Sequence, residues 1–116
     1  MTPVNVLVAD DDESIRRFLR VALIHEAGVG EVREAVDGLD AVEICRDWSP
    51  DVVVLDYWMP GLDGGGAARQ IRLHNPSIRI VAFSGVLQGT PDWADHSFLK
   101  GEMPDLGLVV RLARSA

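Results

Sequence analysis

The chain has a single cysteine, a single lysine and no long hydrophobic run. Cys45 has no partner for an internal disulfide bond, and no second cysteine or neighbouring histidine supports a zinc site. No apolar stretch approaches the roughly 20 residues that cross a bilayer. The N-terminus lacks the basic segment and apolar run of a secretory signal. We therefore expect a cytoplasmic protein without a membrane partner.

Basic residues are scarce. The 116 residues contain 18 acidic and 11 basic side chains, which gives a formal net charge of -7. This balance argues against binding of DNA or RNA by this domain, because phosphate contacts need a basic face. All the bases except Lys100 are arginine, so this lysine is a candidate for a specific role.

The remaining composition is that of one globular domain. The chain is 47% hydrophobic and 25% charged, which is ordinary for a soluble domain of this length. No internal repeat, low-complexity tract or linker divides it. We expect residues 1–116 to form a single domain.

Short apolar runs alternate with segments of helical periodicity. Because the run at 52–55 is continuously apolar, it is typical of a strand covered on both faces. Strands that alternate with helices predict a parallel sheet with helices on both faces, the α/β class. The predicted strands are 4–9, 31–36, 52–55, 78–83 and 97–99, and a helix is expected after each of the first three and the last.

The interval between the fourth and fifth strands differs from the others. Only fifteen residues separate Ser84 from Lys100, and Gly85, Gly89 and Pro91 interrupt any helix there. The fourth helix is therefore expected to be shortened or irregular.

Polar side chains follow four of the predicted strands. Asp10 and Asp11 follow the first strand, Asp56 the third, Ser84 the fourth and Lys100 the fifth. Ligands of parallel α/β sheets bind at the carboxyl ends of the strands, so these side chains should converge. Two carboxylates about 5 Å apart repel by about 3 kcal/mol at an effective dielectric constant of about 20. A hard cation relieves that repulsion, and oxygen ligands suit Mg²⁺.

Phosphoryl transfer is the chemistry that this set could perform. An aspartate beside Mg²⁺ can attack a phosphoryl group and become an aspartyl phosphate. An ammonium and a hydroxyl can neutralise and bind the phosphoryl oxygens. A structural alternative is that the acids at 10–12 only cap the first helix, for which Asp12 is the expected cap. Asp63 is expected to cap the third helix.

Four segments match one family pattern in order and spacing, over essentially the whole chain. They are VLVADDDESIRR at 6–17, PDVVVLDYWMPGLDG at 50–64, IVAFSG at 80–85 and FLKG at 98–101. The sequence resembles a two-component response-regulator receiver domain. The resemblance implies a flavodoxin-like, doubly wound, five-stranded parallel sheet with strand order 2-1-3-4-5.

The resemblance also implies a Mg²⁺ site. Asp11 would bind the ion directly and Asp10 through water. Asp56 and the main-chain carbonyl of Trp58 would complete the protein ligands.

In this family Asp56 would be the phosphoacceptor, Ser84 would move to meet the phosphoryl group, and Lys100 would pair with it. The implied donor is a histidine kinase or a histidine phosphotransfer protein. A downstream protein or an output domain outside this chain would receive the signal, and a second copy of the chain is a further candidate partner. The chain would then be a switch and not an enzyme, catalysing at most its own phosphorylation and dephosphorylation.

The sequence departs from the family pattern in three places, and the first two concern the coupling to output. The connection before Lys100 is short, Ser97 stands where an aromatic residue is common, and Gly101 replaces the usual proline. A second hypothesis is a degenerate receiver that binds proteins without being phosphorylated. The short segment from Val86 to His96 favours it, and the complete acidic site with Ser84 and Lys100 disfavours it. A third hypothesis is a phosphatase of the haloacid-dehalogenase type. The motif of that group requires a second aspartate two residues after the first, but this chain has Trp58 two residues after Asp56.

The residues two positions beyond the acceptor and the hydroxyl bear on how long a phosphoryl group would persist. They are Trp58 and Val86, which are bulky and apolar and have no group to orient a water molecule. We expect slow self-dephosphorylation.

Overall fold

The computed structural model describes residues 2–85 and 89–115, which form one five-stranded parallel sheet flanked by helices. The strand order is β2-β1-β3-β4-β5, and all neighbours are parallel. This confirms the predicted fold. The strands are β1 (Val4–Ala9), β2 (Val29–Ala35), β3 (Val52–Asp56), β4 (Arg79–Ser84) and β5 (His96–Leu99), and the helices are α1 (Glu13–Ile24), α2 (Gly38–Asp47), α3 (Gly64–His74) and α4 (Gly107–Arg114).

The two faces of the sheet carry separate hydrophobic cores. Along β1, Leu7 and Ala9 join the core under α2 and α3, whereas Val6 and Val8 join the core under α1 and α4. All five residues of β3 are buried, because this central strand is covered on both sides. The helices are thus wound on both faces, as the strand and helix alternation predicts.

An aspartate caps the N-terminus of each of the first three helices. Asp12 accepts hydrogen bonds from the N–H groups of Ser14 and Ile15, and Asp63 accepts one from Gly66. These contacts confirm both predicted caps and satisfy N–H groups that the helix leaves free. Because α1 and α3 begin here, the loops after β1 and β3 are fixed beside the carboxyl edge of the sheet.

Side-chain contacts hold the described part of the connection from β4 to β5. None of its described residues, 85 and 89–95, is helical, as predicted. Asp95 exchanges main-chain and side-chain hydrogen bonds with Ile80, each 2.8 Å long. Arg72 donates to the Trp93 carbonyl at 3.0 Å and to the Asp95 carboxylate at 2.8 Å. Trp93 and Ala94 also pack against the core under α3.

The first two glycines of α3 lie in close contact with neighbouring elements. A Cβ atom at Gly64 would lie 2.4 Å from the carbonyl oxygen of Asp56, and one at Gly65 would lie 3.1 Å from the Trp93 ring. The low helix propensity of this segment therefore accompanies a tight fit between α3, the end of β3 and Trp93.

Candidate functional site

Three carboxylates meet at the carboxyl edge of the sheet. Asp10, Asp11 and Asp56 each offer an oxygen atom that lies within 4.8 Å of the others. They converge because β1 and β3 are neighbours in register, with Ala9 paired to Leu55. Asp10 and Asp56 are 1% and 4% exposed, whereas Asp11 is exposed.

Lys100 reaches two of these carboxylates from the end of β5. Its Nζ atom lies 2.9 Å from Oδ1 of Asp56 and 3.0 Å from Oδ2 of Asp10. It also lies 5.7 Å from the centre of the Phe83 ring. The one lysine of the chain is thus a partner of the acidic group.

Burial and charge shift the titration of this pair. Burial raises the pKa of Asp56 to about 6, with the Asp10 carboxylate adding to the rise and the Lys100 contact opposing it. Burial disfavours the charged form of Lys100, but its contacts with Asp56 and Asp10 outweigh this and raise the pKa of its ammonium.

The donor set fits a divalent cation. The buried Oδ2 atom of Asp10 has no hydrogen-bond partner among the described residues, although the Lys100 ammonium is close enough for an ion pair. Three carboxylates face one ammonium, so negative charge is in excess. Carboxylate oxygens are the ligands that Mg²⁺ prefers, and a cation here would neutralise the excess negative charge.

The structure places Trp58 and Ser84 at the same edge. The N–H of Trp58 donates to Oδ1 of Asp56 at 3.3 Å, which fixes the main chain two residues beyond this carboxylate. Ser84 is paired in register with Leu99, and its carbonyl accepts from the N–H of Lys100 at 2.6 Å. The ligand role of the Trp58 carbonyl and the role of the Ser84 hydroxyl stay predictions.

Trp58 and Val86 are the two residues predicted to keep water away from the phosphoryl group, and the structure describes the first of them. The Trp58 side chain is 68% exposed, and its ring leans on Tyr57 with ring centres 5.2 Å apart. Val86 lies outside the described residues. Slow self-dephosphorylation stays a prediction.

Sequence reasoning missed Arg16. Its Nη1 atom donates to the main-chain carbonyl of Asp10 at 2.8 Å, and its Nε atom donates to Glu34 at 3.2 Å. No strand-end position distinguishes this residue from the other arginines of the chain. The neighbouring acids are the one signal that could have singled it out.

Comparison with known proteins identifies the family. The model of the response regulator receiver domain matches residues 6–96. The chain therefore belongs to the receiver domains of response regulators, which are signalling domains of two-component systems. This confirms the family indicated by the sequence motifs.

Two curated relatives illustrate the range of proteins that carry such a domain. The chain is 43% identical over 84 residues to protein-glutamate methylesterase/protein-glutamine glutaminase 5 of Myxococcus xanthus, covering 72% of this chain and 24% of that protein. It is 40% identical over 78 residues to the response regulator UvrY of Escherichia coli, covering 67% of this chain and 36% of UvrY. The chain thus spans about a quarter to a third of the length of these relatives.

Solved structures of receivers share the fold. The response regulator TrrA of Thermotoga maritima, in complex with Mg²⁺ and BeF, has a TM-score of 0.84 at 28% identity, with 97% of this chain and 99% of TrrA covered. The response regulator domain of Thermotoga maritima CheB has a TM-score of 0.77 at 25% identity, with 94% of this chain and 89% of the CheB domain covered.

Within the described residues, no helix has the length and apolar character needed to cross a membrane.

Proposed function

We propose that residues 1–116 form a phosphorylation-dependent switch in which Asp56 accepts a phosphoryl group with Mg²⁺ bound. The observation that carries the proposal is the group of three carboxylate oxygens within 4.8 Å, contacted by the Lys100 ammonium at 2.9 Å and 3.0 Å. A nucleophile, a metal site and a compact cation thereby occupy one edge of the sheet.

The proposed ligands of the ion are the carboxylates of Asp10, Asp11 and Asp56 and the main-chain carbonyl of Trp58. Mg²⁺ bound there would neutralise charge on the oxygens of the incoming phosphoryl group. Asp10 is buried and fixed, whereas Asp11 is exposed to solvent. This difference suits an inner acid that acts through water and an outer acid that binds directly.

The transfer forms one bond and breaks another. A carboxylate oxygen of Asp56 attacks phosphorus, and a P–O bond forms as the P–N bond of a phosphohistidine breaks. The electron pair of the broken bond returns to the imidazole nitrogen. Lys100 then releases its contact with the carboxylate and pairs with a phosphoryl oxygen, and the Ser84 hydroxyl donates to another.

The donor and the receiver of the signal lie outside this chain. A histidine kinase or a histidine phosphotransfer protein supplies the phosphoryl group in the cytoplasm. A downstream protein or an attached output domain reads the switch, either from one chain or from a homodimer. The methylesterase activity named for the Myxococcus relative is not assigned to this chain, since the match covers 24% of that protein.

Incubation with acetyl phosphate and Mg²⁺, followed by intact-mass measurement, tests the proposal. We expect one added phosphoryl group in the wild type and none in Asp56→Asn or in the presence of excess EDTA. Asp47→Asn is the matched control, because Asp47 is an exposed aspartate at the far end of α2. A wild type that gains no mass with acetyl phosphate or with a phosphorylated donor protein would favour the degenerate receiver.

A further inference from the structure

One arginine of α1 reaches back to the loop that carries the first two acids. The Arg16 side chain is 12% exposed. Its Nη1 atom donates to the carbonyl of Asp10 at 2.8 Å, and its Nε atom donates to Oε1 of Glu34 at 3.2 Å. Because Glu34 belongs to β2, the guanidinium connects the edge strand to the end of β1.

The Asp10 carbonyl needs such a donor because the strand ladder stops beside it. The N–H of Asp10 makes the last bond, to the carbonyl of Ala35 at 3.2 Å, and β1 ends at Ala9. A part-buried carbonyl without a donor would be unfavourable. Arg16 supplies the donor, so both main-chain polar groups of Asp10 are fixed.

Main-chain bonds of the first turn of α1 hold the other side of the loop. The N–H of Arg16 donates to the Asp12 carbonyl at 3.0 Å, a bond that is independent of the side chain at this position, and the N–H of Asp12 donates to Oδ1 of Asp10 at 2.9 Å. Asp11 therefore lies between Asp12, which the helix holds, and Asp10, whose carbonyl the Arg16 side chain holds. Rotation of the peptide that joins Asp10 and Asp11 would move both carboxylates relative to Asp56.

We propose that Arg16, oriented by Glu34, is a positioning residue for the metal site, an inference that rests on the proposed function. It touches neither the cation nor the phosphoryl group and acts through the peptide between Asp10 and Asp11. Loss of contacts that orient metal ligands typically weakens metal affinity by about 10–100-fold.

The direction of the change in Mg²⁺ affinity distinguishes a positioning role of Arg16 from a purely electrostatic effect of its charge. Removal of a cation beside an acidic site should tighten Mg²⁺ binding if only Coulomb interactions matter. Loss of positioning should weaken it. Arg20 is the matched control, since it pairs with Glu34 at 3.4 Å but its side chain is 50% exposed and none of its described contacts involves Asp10.

The test is calorimetric titration of the full chain with MgCl₂, together with urea unfolding of the metal-free protein. We expect about tenfold weaker binding in Arg16→Gln and a smaller loss in Arg16→Lys, whose charge is unchanged but whose compact ammonium lacks the spread, planar N–H groups with which the guanidinium reaches both the Asp10 carbonyl and Glu34. Arg20→Gln should bind at least as tightly as the wild type.

Two results would overturn the inference. One is wild-type or tighter binding in both Arg16 variants, and the other is equal weakening in Arg20→Gln. If Arg16→Gln fails to unfold cooperatively, Arg16→Lys alone decides. A wild type that binds no Mg²⁺ overturns the metal site of the proposed function as well, so the two failures are distinguishable.

Discussion

The Nζ atom of Lys100 lies 2.9 Å from Oδ1 of Asp56, so the ammonium already contacts the carboxylate to which we assign phosphoryl transfer. The contact holds the lysine at the end of β5 against the end of β3. A phosphoryl group on this oxygen would carry the negative charge outward, and the ammonium would have to follow it. The pair thereby links chemistry at Asp56 to the position of β5.

Substitution of Lys100 tests that link. We expect Lys100→Ala to reduce phosphorylation by acetyl phosphate or to abolish its structural consequence. Lys100→Arg should not restore the wild-type behaviour, because the guanidinium is a wide planar fork where the site holds a compact ammonium. Intact mass and the tryptophan fluorescence change on phosphorylation measure the two effects. A fully active Lys100→Arg would contradict the argument from geometry.

Asp56 predicts a pH dependence of stability in the metal-free protein. Its folded-state pKa is raised from 3.8 to about 6, so the folded state binds this proton more tightly than the unfolded chain does. The stabilising effect of the proton is complete below about pH 4 and is lost as the pH rises through about 6. Urea unfolding across this range should show wild type losing stability relative to Asp56→Asn. A difference between the two that does not change with pH would contradict the assignment.

Mg²⁺ should stabilise the fold, because it relieves repulsion among Asp10, Asp11 and Asp56. A ligand at a hundred times its dissociation constant adds about 2.7 kcal/mol to the free energy of unfolding. Asp11→Asn should weaken this effect and leave the metal-free protein as stable as the wild type or more so, whereas the Asp47→Asn control should respond as the wild type does. Thermal melting with millimolar Mg²⁺ or Mn²⁺ measures it, and the absence of any shift would rule out the metal site.

The connection between β4 and β5 depends on Asp95. Asp95→Ala removes the acceptor of the Ile80 N–H and a charged partner of Arg72, and we expect a loss of about 1–3 kcal/mol in unfolding free energy. Glu13→Ala is the control, because its pair with Arg17 is exposed on both sides and should contribute at most about 1 kcal/mol. Equal losses in urea unfolding would show that Asp95 does not anchor the connection.

The edge that carries the site could be predicted because its residues directly follow apolar runs. Because the strands are parallel, Asp10, Asp56 and Lys100 all follow strand ends at the carboxyl edge of the sheet. No knowledge of side-chain packing is needed for that step. The tight caps at Asp12 and Asp63 are likewise local, since each bonds to residues within three positions.

The pairs that orient the site and the connection could not be predicted in this way. Arg16 and Glu34 are 18 residues apart, and Arg72 and Asp95 are 23 residues apart. In the sequence alone, each arginine has several acidic residues as possible partners. The partner that it contacts is determined by the packing of the folded chain. The start of β2 at Val29 was also missed, since Gly30 weakens the strand pattern and pairing of Val29 with Val4 extends the strand.

Location of the modified residue tests the central claim most directly. The protein would be treated with acetyl phosphate and Mg²⁺, reduced with sodium borohydride to convert an aspartyl phosphate to homoserine, digested and sequenced by mass spectrometry. The account predicts one converted residue, Asp56, in the peptide that continues into Tyr57 and Trp58. Conversion at Asp10 or Asp11 instead, or conversion that persists elsewhere in Asp56→Asn, would contradict it.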